Sequence, residues 1–98
     1  MTKDRIKAIY KAPGKAPVLI EIENKLEALQ RAIGGYLESV TITTDCCILC
    51  DEEGRLKGLP YNCKILNMEL SGPILIVGVD GDELCDAPLT DADLLIRP

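Results

Sequence analysis

No histidine, tryptophan or phenylalanine occurs in this chain of 98 residues, and its three aromatic side chains are all tyrosine. The absence of histidine removes the commonest general base and the commonest metal ligand together. With so few rings and a formal charge of −5, the chain has little to offer a nucleic-acid backbone or a stacked base, so no direct nucleic-acid binding is expected. No apolar run approaches the roughly 20 residues of a membrane helix, and the opening Met1-Thr2-Lys3-Asp4-Arg5 leads into no secretory apolar region. Membrane association is therefore not expected either.

Apolar residues make up 47 % of the chain and charged residues 28 %, the balance of a folded chain. At this length there is room for one domain, 1–98, which buries roughly 60–65 % of its unfolded surface in a modest aliphatic core. The cysteine count is five, an odd number. With no secretory signal, that count argues for reduced thiols and a cytoplasmic location rather than a disulfide framework.

Charge is unevenly spread. Residues 1–35 carry seven bases and four acids, whereas residues 36–98 carry four bases and twelve acids. The densest acidic stretch runs through Asp80, Asp82, Glu83, Asp86, Asp91 and Asp93 without a base. Such a run reads either as a solvated loop and helix start or as an acidic surface.

Periodicity supplies the fold. In residues 5–10, Ile6, Ala8 and Tyr10 alternate with Lys7 and Lys11; in 18–23, Val18, Ile20 and Ile22 alternate with Leu19, Glu21 and Glu23. A Pro/Gly-rich turn at 12–17 joins the two as a β-hairpin, with lysines and glutamates available to pair across its outer face. Residues 24–33 predict a helix, with Asn24 and Glu27 as a capping box, Leu26, Leu29 and Ile33 on one face, and Gly34-Gly35 as its stop. Residues 37–43 and 46–50 predict a second hairpin across Thr44-Asp45, with Val40 and Ile42 pointing one way and Thr41 and Thr43 the other.

Asp51-Glu52-Glu53-Gly54 predicts a polar turn, irregular structure continues to Asn62, and 65–70 predicts a short strand or turn. The continuous apolar run 74–79 suits a strand buried on both faces, ended by Gly78. Thr90 can cap a short closing helix over 91–95. The expected fold is a single small α+β domain, mostly antiparallel sheet, with one main helix packed on one face and a short C-terminal helix.

Candidate chemistry is sparse. Cys47 and Cys50 form a CxxC, but on a strand residues three apart face opposite sides, roughly 10 Å apart along the chain, which defeats a disulfide or a shared metal. Cys63 and Cys85 complete no second CxxC. Counted from Asp80, the sixth residue is Cys85 and the twelfth Asp91, so the acidic stretch is no calcium loop and reads as a strand-ending turn. Gly58 is followed by Leu59, which excludes a phosphate-binding loop of the Walker type. Ser39 and Ser71 have no histidine to activate them. No catalytic residue, metal or cofactor is expected.

Gly34-Gly35-Tyr36-Leu37-Glu38, then Glu53-Gly54-Arg55-Leu56-Lys57-Gly58-Leu59-Pro60-Tyr61-Asn62, then Gly72-Pro73-Ile74-Leu75-Ile76-Val77-Gly78 together resemble the domain-of-unknown-function family numbered 3846. The resemblance covers nearly the whole chain and implies a small protein of Firmicutes, phages or other mobile elements. It carries over no activity, cofactor or catalytic residue. Where the family often has a base just after the Asn, this chain has Cys63, with Lys64 next.

Tyr36, Leu59, Tyr61 and Asn62 are the partner-binding candidates, because tyrosine is enriched at interfaces. The competing reading has the two tyrosines covering the edge of the core and Asn62 capping a turn. The leading functional expectation is a non-enzymatic binding or adaptor protein with a protein partner. The alternatives are an acidic DNA mimic of the antirestriction type, more credible if a homodimer lined up its acidic halves, and a small enzyme or zinc-binding protein.

Overall fold

The computed structural model describes residues 4–54, 56–65, 67–88 and 96–97. Its elements are β1 (Arg5–Lys11), β2 (Val18–Glu23), α1 (Leu26–Ile33), β3 (Leu37–Thr43), β4 (Cys46–Asp51), β5 (Tyr61–Ile65), β6 (Met68–Ser71), β7 (Ile74–Asp80), β8 (Glu83–Cys85) and β9 (Ile96–Arg97). They form two antiparallel sheets. The larger has the order β2-β1-β7-β4-β3, with β8 also paired to β7; the smaller has the order β6-β5-β9.

The apolar run at 74–79 and the cysteine-rich strand occupy the middle of the large sheet, where both faces are covered. Ile74, Leu75, Ile76 and Val77 are fully buried, and every residue of β4 is buried. Alternation then divides the interior in two. Ile6, Ala8, Cys47, Leu49, Leu75 and Val77 face α1 with its Leu29 and Ile33. Ile9, Cys46, Ile48, Cys50, Ile74 and Ile76 face the small sheet with its Cys63, Ile65 and Leu70. Val40 and Ile42 pack against this second cluster, as their alternation predicts.

The α+β class, the dominant antiparallel sheet and the helix on one face all appear, but the expected single sheet is two. The irregular stretch ends earlier than predicted: β5 begins at Tyr61 and pairs with β6, and the two strands roof the second cluster. The predicted helix at 90–95, with Asp91 and Asp93, lies outside the described residues.

Three local expectations need correction. The helix is capped at Lys25, not Asn24, and without a side-chain cap. Asn24 is engaged elsewhere: its backbone N–H extends the β1–β2 ladder to the Asp4 carbonyl at 2.8 Å, and its Nδ2 reaches the Leu84 carbonyl at 3.4 Å. Leu26, at the first helical position, is exposed, so the helix is anchored by Leu29 and Ile33. At the other end Gly34 stops the helix as predicted, in the left-handed region at φ 88°.

Gly78 lies inside β7 rather than at its end. A Cβ there would overlap the Asp86 carbonyl oxygen, so the missing side chain is what lets the segment after β8 cross at that point. The segment then wedges against β1. The Lys7 N–H donates to Asp86 Oδ1, and the Ala87 N–H donates to the Lys7 carbonyl.

Candidate functional site

The helix stop builds the first site. The Gly34 and Gly35 N–H groups both donate to the Gln30 carbonyl, at 2.7 and 3.2 Å, which turns the chain sharply into Tyr36. Tyr36 is 68 % exposed. Facing it is the loop after β4, organised by the buried Asp51. Its Oδ1 accepts the Glu53 N–H at 2.8 Å, and its Oδ2 accepts Lys57 Nζ at 2.9 Å. These bonds, the Lys57 one foremost, hold the Asp51 carboxyl below its usual range against the opposing effect of burial. The same bond raises Lys57.

Gly35 makes room for this pair, since a Cβ there would run into Asp51 Oδ2 and Lys57 Nζ. Between the two walls lies an open groove of about 710 Å³. Glu27, Gln30 and Arg31 line it from the helix; Tyr36, Glu53 and Lys57 line it from the other side.

The other partner-binding candidates sit elsewhere. Leu59 is half-buried with its side chain against Gly72. Tyr61 opens β5 opposite Ser71, is half-exposed and does not line the groove. Asn62 is 5 % exposed and joins the two sheets. Its Nδ2 donates to the Lys11 and Gly72 carbonyls at 2.8 and 2.7 Å, and its Oδ1 accepts Lys11 Nζ at 2.8 Å. Asn62 is therefore a packing residue, and Lys11, placed on the outer face by alternation, is buried beside it.

The acidic candidates divide. Asp80 and Glu83 stand opposite each other across the Gly81-Asp82 turn, which is the strand-ending turn predicted, and Asp86 is committed to the Lys7 N–H. A second acidic group went unpredicted. Glu38 of β3, Glu52 and Glu53 of the loop and Glu69 of β6 line a crevice of about 140 Å³, with Asp51, Cys50 and Leu70. The Asp-Glu-Glu run was visible in the sequence; its meeting with Glu38 and Glu69 needs the second sheet.

Cys47 faces the helix and Cys50 faces the small sheet, so the CxxC pair is split across the sheet as the strand reading requires. Burial pushes both thiols up to about 11, reinforced at Cys47 by the neighbouring cysteines and at Cys50 by Glu38 and Asp51. Burial also raises Cys63. None of the five cysteines is in a disulfide. Among the described residues no group of three or more acids and thiols is placed to hold a metal, and no helix is long and apolar enough to cross a membrane.

Fold and surfaces together define a small α+β domain with two cores, one exposed aromatic on an open groove and one acidic crevice. Residues 6–97 match the family model described as Domain of unknown function (DUF3846), and the chain belongs to that family. No curated protein and no solved structure matches it.

Proposed function

We propose that this is a non-enzymatic binding or adaptor protein of the cytosol, carried by a phage or mobile element, that engages a protein partner at the groove beside Tyr36. The observation that carries the reading is Tyr36 itself: a ring held at a rigid helix end, 68 % exposed, over an open groove with charges of both signs at its rim. Tyrosine in that setting is a favoured interface anchor, combining a large contact area with a polar tip. Leu56, 86 % exposed on the loop after β4, lines the neighbouring acidic crevice rather than the groove.

Catalysis finds less support. Burial raises the thiols of Cys47 and Cys50, and the buried carboxylate Asp51 is spent on Lys57 and Glu53. Mimicry of a DNA backbone asks for one row of acids. The densest groups of described acids are instead two, Asp80, Asp82 and Glu83 at the β7–β8 turn and Glu38, Asp51, Glu52, Glu53 and Glu69 at the crevice beside β3 and β6.

Retrieval of tagged protein from its host, wild type against Tyr36→Ala, at low and high salt, tests the reading. A partner that survives high salt and falls about tenfold with the variant is the expected result, since an anchoring aromatic is worth more than 1 kcal/mol. Equal recovery with both proteins would sink it.

A further inference from the structure

The large sheet ends at β2 on one side and β3 on the other, and the two edges are built differently. The outward-facing backbone groups follow from ladder alternation, because bonded and non-bonded pairs alternate along antiparallel strands. On β3, the Glu52 N–H donates to the Tyr36 carbonyl at 2.9 Å, in register with Glu38 opposite Cys50 and Val40 opposite Ile48. Residues 36, 38 and 40 therefore bond to β4, and the N–H and C=O groups of Leu37, Ser39 and Thr41 point to the open side. On β2, the bond from Asn24 to Asp4 sets the same alternation and turns out the backbone of Leu19, Glu21 and Glu23.

The β2 edge is guarded. Two of its three outward positions carry glutamate, with Arg5 and Lys25 against them at 4.0 and 3.3 Å, and charged side chains discourage strand addition. The β3 edge is not. Its outward positions are Leu37, Ser39 and Thr41, and its one charge is Glu38; a register shift between Thr41 and Thr43 limits the usable stretch to 37–41. Glu38 and Val40 share the face toward the small sheet, since Val40 packs there and Leu37 packs on the helix side. On that face lie the exposed carboxylates of Glu38, Glu52, Glu53 and Glu69. Among the described residues none of the four is in an ion pair; Lys64 stands in register opposite Glu69, and Lys57 acts on Glu53 at longer range.

We infer that the partner enters as an extended basic segment that adds a strand to the open edge of β3, with alternate lysines or arginines laid over Glu38 and the acidic crevice. This rests on the protein-partner reading and names the partner's chemistry. Backbone bonds at 37, 39 and 41 hold the strand, and the carboxylates select its charge. β3 begins one residue after Tyr36, so the added strand starts beside the end of the groove. A second copy of this chain fits the edge less well, because pairing about Ser39 sets two such acidic crevices side by side.

The probe is fluorescein-labelled Lys-Val-Lys-Val-Lys-Val-Lys, followed by fluorescence anisotropy against the full chain. In the inferred register the lysines face Glu38 while the valine N–H groups donate to β3. The expected result is saturable binding, weakened at least tenfold by N-methylation of the valines, which leaves every lysine charge in place. Ser39→Pro is expected to weaken it as much; its N–H is not part of the β3–β4 ladder, and proline is tolerated on edge strands. Glu38→Gln is expected to weaken binding at low salt alone.

Equal binding of the N-methylated peptide would reduce the interaction to charge and overturn strand addition, whatever happens to the Ser39 variant. No binding of the parent peptide would overturn it too. So would gel filtration showing a wild-type dimer that becomes a monomer in Ser39→Pro, since the edge would then belong to a second copy. In each case a host partner lost with Tyr36→Ala would leave the broader binding reading standing.

Discussion

Lys11 and Asn62 exchange two hydrogen bonds of 2.8 Å across the gap between the large and small sheets, one through the lysine ammonium and one through its backbone carbonyl. Both residues are more than nine-tenths buried. Asn62 serves three groups in all, counting Gly72, and its removal leaves two backbone carbonyls and an ammonium short of a partner. Asn62→Ala is therefore expected to cost about 1–3 kcal/mol in urea unfolding, the penalty for stranding buried polar groups. Lys11→Met removes the charge together with its need for a partner and is expected to cost less. The reverse order would show that the lysine, not the asparagine, holds the sheets together.

Asp51 makes stability depend on acid. Its carboxyl titrates below its unfolded value of about 3.9, chiefly because of Lys57 and then the Glu53 N–H. Its contribution is fully present above pH 4 and is lost as the pH falls through the folded value. Urea midpoints are expected to drop between pH 5 and pH 2.5 by more in wild type than in Asp51→Asn. At pH 7 the variant is expected to be less stable, since the Glu53 N–H and the solvent-exposed Lys57 ammonium lose their charged acceptor. Parallel curves for the two proteins would remove Asp51 from the acid response.

The thiols divide by burial. Cys46, Cys47, Cys50 and Cys63 are buried, whereas Cys85 is half-exposed. With Cys47 and Cys50 raised to about 11, almost no thiolate forms there at pH 8. A disulfide-exchange dye on native protein is expected to find at most one fast thiol, and all five after unfolding. Two or more fast thiols would mean that β4 opens readily.

Glycine at 78 and at 35 serves close approach in two different ways. At Gly78 the obstacle to a Cβ is the backbone of Asp86, which cannot swing aside; at Gly35 part of the obstacle is the flexible end of Lys57. Gly78→Ala is expected to cost about 1–3 kcal/mol through forced backbone displacement, and Gly35→Ala less. Thermal melts of the two variants decide the order.

How much of this was legible depended on distance along the chain. The two hairpins at 5–23 and 37–51, the stop at Gly34 and the doubly buried β7 rest on period, turn residues and capping, all local, and they were readable. Asn62 and Lys11 were not. Each looks like an ordinary loop amide or outer-face lysine until strands 51 residues apart meet. The small sheet escaped for the same reason: Tyr61–Ile65 carries Asn62 and Lys64 among its apolar residues and is too short to declare its period. Asn24 has the right chemistry for a cap, yet a distant strand, β8, claimed its side chain. The acidic crevice unites β3, β6 and a loop, so no single stretch of sequence announces it.

β4 and β7 are bonded neighbours, Cys47 opposite Val77, yet the chain between them is the whole β5–β6 hairpin. The roof of the second core is thus strung between two adjacent beams of its floor. Once those two strands zip together, both ends of the hairpin are already tethered above Ile48 and Ile76, and the loop-closure entropy of laying it down has been spent in the same step. Floor and roof are thus tied into one cooperative unit, and a lesion in the roof, such as at Ile65, is expected to lower the stability of both together.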